Sequence, residues 1–346
     1  MIRAENIDIK FPDFHLNSCS LHVKEQEFFS VIGPTGSGKS LILELLTGLI
    51  RPDSGRVMVN GKDVTRTPTE SRGLGIVYQD FALFPHLTAR ENILYGTRYH
   101  NLSDKEIRKS FARLTETMGL SRILDRRPAT LSGGEKQRVA LSRSLILNPA
   151  ALLLDEPLSA LDPMFQQEIR ELLKTLHQDL GLTTIMVSHN FGEVLYLADR
   201  VALIHQGEII QTGTTEAVFE RPATPFAAKF VGMNNLFAGT FSEEQAYLDE
   251  TKIAINLQMP PGEAATHVAI RPEEIVPLMP GTNGLANAMT GRVTGIACHG
   301  FFFDVSVMVG EVKFTARWNR NQIREFGVEA GGRIGIGFHA GSVHVL

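Results

Sequence analysis

The octapeptide Gly33-Pro34-Thr35-Gly36-Ser37-Gly38-Lys39-Ser40 spaces its glycines, a lysine and a hydroxyl as G-x-x-x-x-G-K-[ST]. Glycines let a backbone wrap closely around phosphate oxygens with its N–H groups turned inward, and a helix starting there adds the positive end of its dipole. Lys39 is then expected to reach the β- and γ-phosphates of a nucleotide, and Ser40 to bind Mg²⁺ through its hydroxyl. Downstream, Ala151-Leu152-Leu153-Leu154-Asp155-Glu156-Pro157 is an apolar run ending in two acids. A buried parallel strand of this kind delivers carboxylates to the C-terminal edge of its sheet, where a phosphate loop also lies. Asp155 fits a magnesium-side carboxylate, acting directly or through water, and Glu156 fits the group that orients or deprotonates an attacking water. A glycine-rich turn or an acidic pair says little alone; together they point to nucleotide hydrolysis.

Such residues need a strand, a turn and a helix in that order. Residues 28–32 are a strand-like run ending at Gly33, and Leu41, Leu45, Leu46 and Leu49 then keep helical spacing. Further strands are predicted at 57–59, 75–78, 151–154, 183–187 and 200–205, and helices at 104–118, 135–147 and 163–180, so the core reads as α/β. After Phe230 helices thin out and short alternating strands appear around Ala269, Arg292, 301–309, 312–316 and 333–338. Domains are therefore expected at 1–232, with a helical subdomain over about 81–130, and at 233–346, a small β-rich barrel.

The chain has 346 residues, more than the usual ~100–200 of one domain. A net charge of −4 gives no general attraction to nucleic acid or anionic lipid, so nucleic acid is not an expected partner. Cys19 and Cys298 are the only cysteines and cannot build a disulfide framework, which suits a reducing cytoplasm. The N-terminus lacks a secretory pattern, and no apolar run approaches the ~20 residues that span a bilayer. A membrane role would be borrowed from a partner.

Leu131-Ser132-Gly133-Gly134-Glu135-Lys136-Gln137-Arg138 resembles the signature of ATP-binding cassette (ABC) proteins, with Glu135 where Gln is usual. Ser132 and the Gly133-Gly134 backbone precede a helix whose N-terminus can face a γ-phosphate. The resemblance implies a P-loop NTPase cassette with a helical subdomain, followed by an OB- or TOBE-like barrel. It implies an ATPase using ATP and Mg²⁺. Gln79 then corresponds to the residue that contacts Mg²⁺ and the attacking water, Ser159-Ala160-Leu161-Asp162 to a loop that communicates across a dimer, and His189 to a switch histidine on the γ-phosphate. An aromatic that stacks on adenine is expected at Phe11, with Phe14 close behind.

In this family two cassettes meet head to tail, each ATP lying between one phosphate loop and the other copy's signature. One loop and one signature per chain thus imply a homodimer. Two integral membrane permease subunits would dock near Gln79 and the segment 81–130, where Phe81, Leu83, Phe84 and Leu87 form an exposed-looking apolar cluster. Val268-Ala269-Ile270-Arg271-Pro272-Glu273 resembles a motif of the accessory barrel in importer ATPases. The implied protein is peripheral to the cytoplasmic face of the membrane and is served indirectly by an extracytoplasmic substrate-binding protein. Residues 77–88 resemble ATPases of molybdate/tungstate importers; sulfate, iron, polyamine and sugar importers are the alternatives, and a soluble cassette ATPase is a further one. A regulatory oxyanion in the barrel would need turns such as Thr290-Gly291-Arg292 or His299-Gly300, helped by Arg317.

Overall fold

A computed structural model describes every residue except 101, 249, 250, 252, 263, 280, 282 and 283. The chain forms two compact units, Met1–Thr215 and Glu216–Leu346.

The first unit runs β1 (Ile2–Phe11), β2 (Phe14–Val23), β3 (Phe28–Ile32), α1 (Lys39–Thr47), β4 (Ser54–Val59), β5 (Lys62–Asp63), β6 (Leu74–Val77), α2 (Ala89–Leu94), α3 (Asp104–Thr117) and α4 (Gly133–Leu145). It continues β7 (Ala151–Asp155), α5 (Pro163–Leu180), β8 (Thr183–Val187), α6 (Phe191–Leu197), β9 (Arg200–His205) and β10 (Glu208–Thr214). One sheet has the order β2-β1-β4-β5; the other has β10-β9-β3-β8-β7-β6. In the second sheet β9, β3, β8, β7 and β6 are parallel and β10 is antiparallel to β9. Every residue of β3 and β8 is buried, as central parallel strands covered on both faces require. The buried Ile42, Leu43, Leu45 and Leu46 of α1 share one core with Ile2, Ile7 and Val57 of the first sheet and with Phe29, Val31, Leu153 and Ile185 of the second. Burial of that stripe fixes the helix at the mouth of β3.

Helix starts follow local chemistry. Thr88 with Glu91, Ser103 with Glu106 and Ser132 with Glu135 each close a reciprocal capping box. Among the described residues no helix is long and apolar enough to cross a membrane.

The second unit contains α7 (Thr215–Glu220), α8 (Pro225–Phe230), β11 (Asn235–Phe241), β12 (Gln245–Leu248), β13 (Ala254–Asn256), β14 (His267–Ile270), β15 (Val276–Leu278), β16 (Asn287–His299), β17 (Phe302–Val309), β18 (Val312–Asn319), α9 (Arg320–Glu325), β19 (Arg333–Phe338) and β20 (Val343–Val345). Two sheets, β13-β12-β11-β14-β20 and β15-β19-β16-β17-β18, enclose a core around Trp318, Phe314 and Phe338. Trp318 is fully buried and donates its indole N–H to the Ile275 carbonyl at 2.7 Å.

The units part at Thr215/Glu216, before the expected 232/233. Residues 216–232 are helical, like a cassette, yet their contacts run forward. Arg271 donates to the carbonyls of Phe219 and Val231, His344 meets the Pro222 carbonyl at 2.8 Å, and Ala228 packs with Met233 and Ala269. Helical periodicity marks an element, not the core it joins.

Candidate functional site

β3 delivers the chain to Gly33 against β9. A Cβ there would lie 2.2 Å from the Ile204 carbonyl oxygen, so only glycine fits. Gly38, at φ 102°, turns the loop into α1 in a conformation that side chains rarely adopt. The start of α1 carries no side-chain cap, which leaves its first amides open to the loop interior. Lys39 folds back over the loop, donating to the carbonyls of Gly33 at 2.9 Å and Pro34 at 2.8 Å. Burial lowers its ammonium pKa, and the charges of Glu156 and Asp155 oppose that shift. Ser37 Oγ is buried without a hydrogen-bond partner, an orphan that a phosphate oxygen would satisfy.

A cavity of about 500 Å³ opens beside this loop, and Phe14, Gly38, Lys39, Ser40 and Glu156 are among its walls. Phe14, not Phe11, is the aromatic in that wall. Phe11 is the cross-strand partner of Phe14, on the same face of the hairpin, and is 40 % exposed.

Ser40 Oγ donates a long hydrogen bond, 3.4 Å, to Asp155 Oδ1 at the end of β7. Burial raises the pKa of Asp155, partly offset by the Ser40 bond and by Lys39. Among the described residues no three His, Cys, Asp or Glu side chains cluster as metal ligands. The Ser40 hydroxyl and the Asp155 carboxylate would suit Mg²⁺, a hard cation that takes oxygen ligands and is commonly held by one or two protein groups beside substrate phosphates.

Glu156 follows at φ 45°, its N–H donating to the Val187 carbonyl of β8 at 3.0 Å. This left-handed step turns its side chain from the strand toward His189, whose Nδ1 lies 3.0 Å from Glu156 Oε1. Ser188 and Glu193, unmarked by sequence reasoning, set the loop that carries His189. The Ser188 hydroxyl donates to Glu193 Oε2 at 2.7 Å and accepts the Asn190 N–H at 3.0 Å. Burial raises the pKa of Glu193. The only sequence signal was Asn190 followed three residues on by Glu193 at a helix start. Gln166 was also missed; its amide donates to the carbonyls of Leu158 and Leu161, shaping the loop that ends at Asp162, the residue before α5.

Gln79 lies exposed just beyond β6. Phe81 and Ala82 both take left-handed backbone, at φ 64° and 44°. Arg143 of α4 bonds both of their carbonyls, at 3.0 and 2.7 Å, and its guanidinium sits 5.4 Å from the Phe84 ring. Phe84 also packs on Tyr95, centroids 4.3 Å apart. The cluster Phe81, Leu83, Phe84 and Leu87 is thus half-buried, where an exposed patch was expected. Asn92, fully buried, accepts from the Phe84 N–H and donates to the carbonyls of Phe84, Leu87 and Thr88. Asn92→Ala is expected to cost about 1–3 kcal/mol by stranding those groups, read as a lowered midpoint in urea unfolding of the full chain.

At the signature, Ser132 caps α4. Its N–H donates to Glu135 Oε2 at 2.7 Å and its Oγ accepts from the Glu135 N–H at 3.3 Å. The amides of Gly133 and Gly134 keep no intrahelical partner, and the Ser132 hydroxyl proton is free to be donated.

Residues 16–159 match the family described as ABC transporter, and residues 268–346 the TOBE domain. The chain is 34% identical to the molybdate/tungstate import ATP-binding protein WtpC of Pyrococcus abyssi over 347 residues, spanning 100% of both chains. The chain belongs to the ABC-transporter ATP-binding proteins.

This ABC protein is 42% identical over 236 residues to the spermidine/putrescine import ATP-binding protein PotA of Thermotoga maritima, covering 68% of this chain and 64% of that one. It also superposes on a dimeric ATP-binding cassette solved in a post-hydrolysis state with ADP and Pi, at TM-score 0.55 and 31% identity, over 62% of this chain and 99% of that one. It is an ATPase. The α/β cassette and the barrel-like β-rich TOBE domain agree with the expected fold class.

Of the residues suggested for a regulatory oxyanion, His299 and Arg317 meet at Asp304 in this ABC protein's second unit, and Thr290-Gly291-Arg292 takes another form. Thr290-Gly291-Arg292 is no turn: it lies inside β16, paired with Gly335, Ile334 and Arg333 of β19. Its glycine serves strand approach, since a Cβ at Gly291 would lie 2.5 Å from the Met308 carbonyl oxygen. Arg317 is held by both oxygens of Asp304, at 2.8 and 3.1 Å, with His299 3.6 Å from the same carboxylate. That cation is matched, and a carboxylate at its centre repels anions.

Proposed function

We propose that this chain is the motor of a molybdate/tungstate importer, acting as a homodimer on the cytoplasmic face of the membrane beneath two permease subunits. What supports the cargo is reach: similarity to WtpC of Pyrococcus abyssi runs through the whole of both chains, whereas the PotA relatives match over 68% to 87% of this chain and 64% to 75% of their own length. Generic cassette chemistry would raise identity in the first unit alone.

In this reading the phosphate loop from Gly33 to Ser40 (Pro34, Thr35, Gly36, Ser37 and Gly38 included) and Lys39 hold the β- and γ-phosphates, and Phe14 takes the adenine. Ser40, Asp155 and Gln79 would hold Mg²⁺, which neutralises phosphate charge when bound. Glu156 orients and accepts a proton from water, and His189, already at hydrogen-bond distance from it, touches the γ-phosphate. Ser132, Gly133 and Gly134 reach the ATP of the second copy, with Asp162 on the loop between the copies.

Cargo is tested by ATPase rates of the reconstituted complex with binding proteins loaded with molybdate, tungstate, sulfate or spermidine. Stimulation of about fivefold or more, a coupling within the usual allosteric range, is expected for the first two alone. Equal stimulation by the spermidine-loaded protein would overturn the cargo assignment.

A further inference from the structure

The four N–H groups at a helix start have no partner within the helix, and an anion placed there is stabilised by them and by the dipole. In α4 two go to the capping box, so an approaching phosphate meets Gly133 N–H, Gly134 N–H and the Ser132 hydroxyl. The cap itself, however, is a carboxylate. Glu135 brings a negative charge to the surface where another anion is to bind, and that repulsion grows as a closing interface excludes water.

The structure supplies a counter-charge. Arg126 Nη1 lies 3.5 Å from Glu135 Oε1, while Oε2 of the same carboxylate is taken by the Ser132 N–H. The Arg126 backbone is fixed at both ends of its peptide, its N–H donating to the Ile123 carbonyl and its carbonyl accepting from Ala89 at the start of α2. The guanidinium is therefore anchored beside the signature by the helical subdomain. Both side chains remain partly open, at 45 % and 32 % exposure, so a second molecule can cover the pair. As a free surface pair it would add little to stability; its significance arises when the interface closes.

We propose that Arg126 is the positioning residue that makes a glutamate-type signature competent for phosphate: it neutralises Glu135 and draws the carboxylate back against Ser132, leaving a net positive helix start for the γ-phosphate of the partner copy's ATP. The proposal rests on the signature reading above. It predicts that Arg126 matters only while Glu135 is charged.

The experiment uses the full chain carrying Glu156→Gln, with ATP-driven dimerisation followed by light scattering across an ATP titration. Arg126→Gln is expected to raise the ATP concentration at half-dimerisation about five- to tenfold, the scale of a coupled charge pair in a drying interface, with unchanged binding of a fluorescent nucleotide to the monomer. Arg126→Lys should recover most of the loss. In a Glu135→Gln background, Arg126→Gln should move the midpoint by less than about twofold relative to Glu135→Gln alone. A full-sized effect of Arg126→Gln in that background, or none in the Glu135 background, would overturn the proposal. A purely structural arginine would instead lower the thermal midpoint in both backgrounds. Failure of the underlying reading looks different: Ser132→Ala together with Gly134→Asp would leave ATP-driven dimerisation intact.

Discussion

Glu156→Gln is expected to lower ATP turnover by at least about a hundredfold, the ordinary contribution of one general base, while nucleotide binding persists. The amide keeps the size of the side chain and an acceptor oxygen for a water, but it cannot take a proton. It also keeps an oxygen for His189, now 3.0 Å from Glu156 Oε1, so the geometry of the loop after β8 should survive. The left-handed backbone at φ 45° is no harder for Gln than for Glu. If the chain works as the homodimer proposed above, in which hydrolysis reopens the closed pair, a dimer should accumulate in ATP and dissolve when ATP is removed. Rates from phosphate release, together with light scattering, provide the check. Turnover within a few-fold of the parent would remove Glu156 from the chemistry and leave the water to be activated by another group.

Lys39→Ala should act earlier. The ammonium now spans the phosphate loop through the Gly33 and Pro34 carbonyls, and its pKa is lowered chiefly by burial. A bound triphosphate would replace those carbonyls with charged oxygens, and hydrogen bonds between charged groups contribute about 1.5–3 kcal/mol each. Losing even one corresponds to roughly tenfold or more in nucleotide affinity. Calorimetric titration with ATP on the full chain measures it, and a melting curve shows whether the loop still folds. Unchanged affinity in a folded variant would contradict the phosphate-loop assignment. Together the two variants separate binding from chemistry, since one should close without hydrolysing and the other should fail to engage.

What the sequence by itself determined was whatever is contiguous. The turn from β3 into α1, the acidic end of β7, the capped start of α4 and the spans of β8, β9 and α5 were all legible, because glycine geometry, capping chemistry and apolar runs act within a few residues. The tertiary structure decided what distant segments do to one another. It set β7 beside β8, which places Glu156 against His189. It put Arg143 on the carbonyls of Phe81 and Ala82, residues over sixty positions away in the chain. It put Phe14 in the wall of the cavity beside the phosphate loop, assigned α8 and all of α7 but Thr215 to the second unit, and spent Arg317 on Asp304. Strand order and helix docking follow from burying many apolar faces at once, and no window of sequence holds that global solution. A motif can therefore announce a phosphate site, while the partners of each charged side chain are settled only when the core closes.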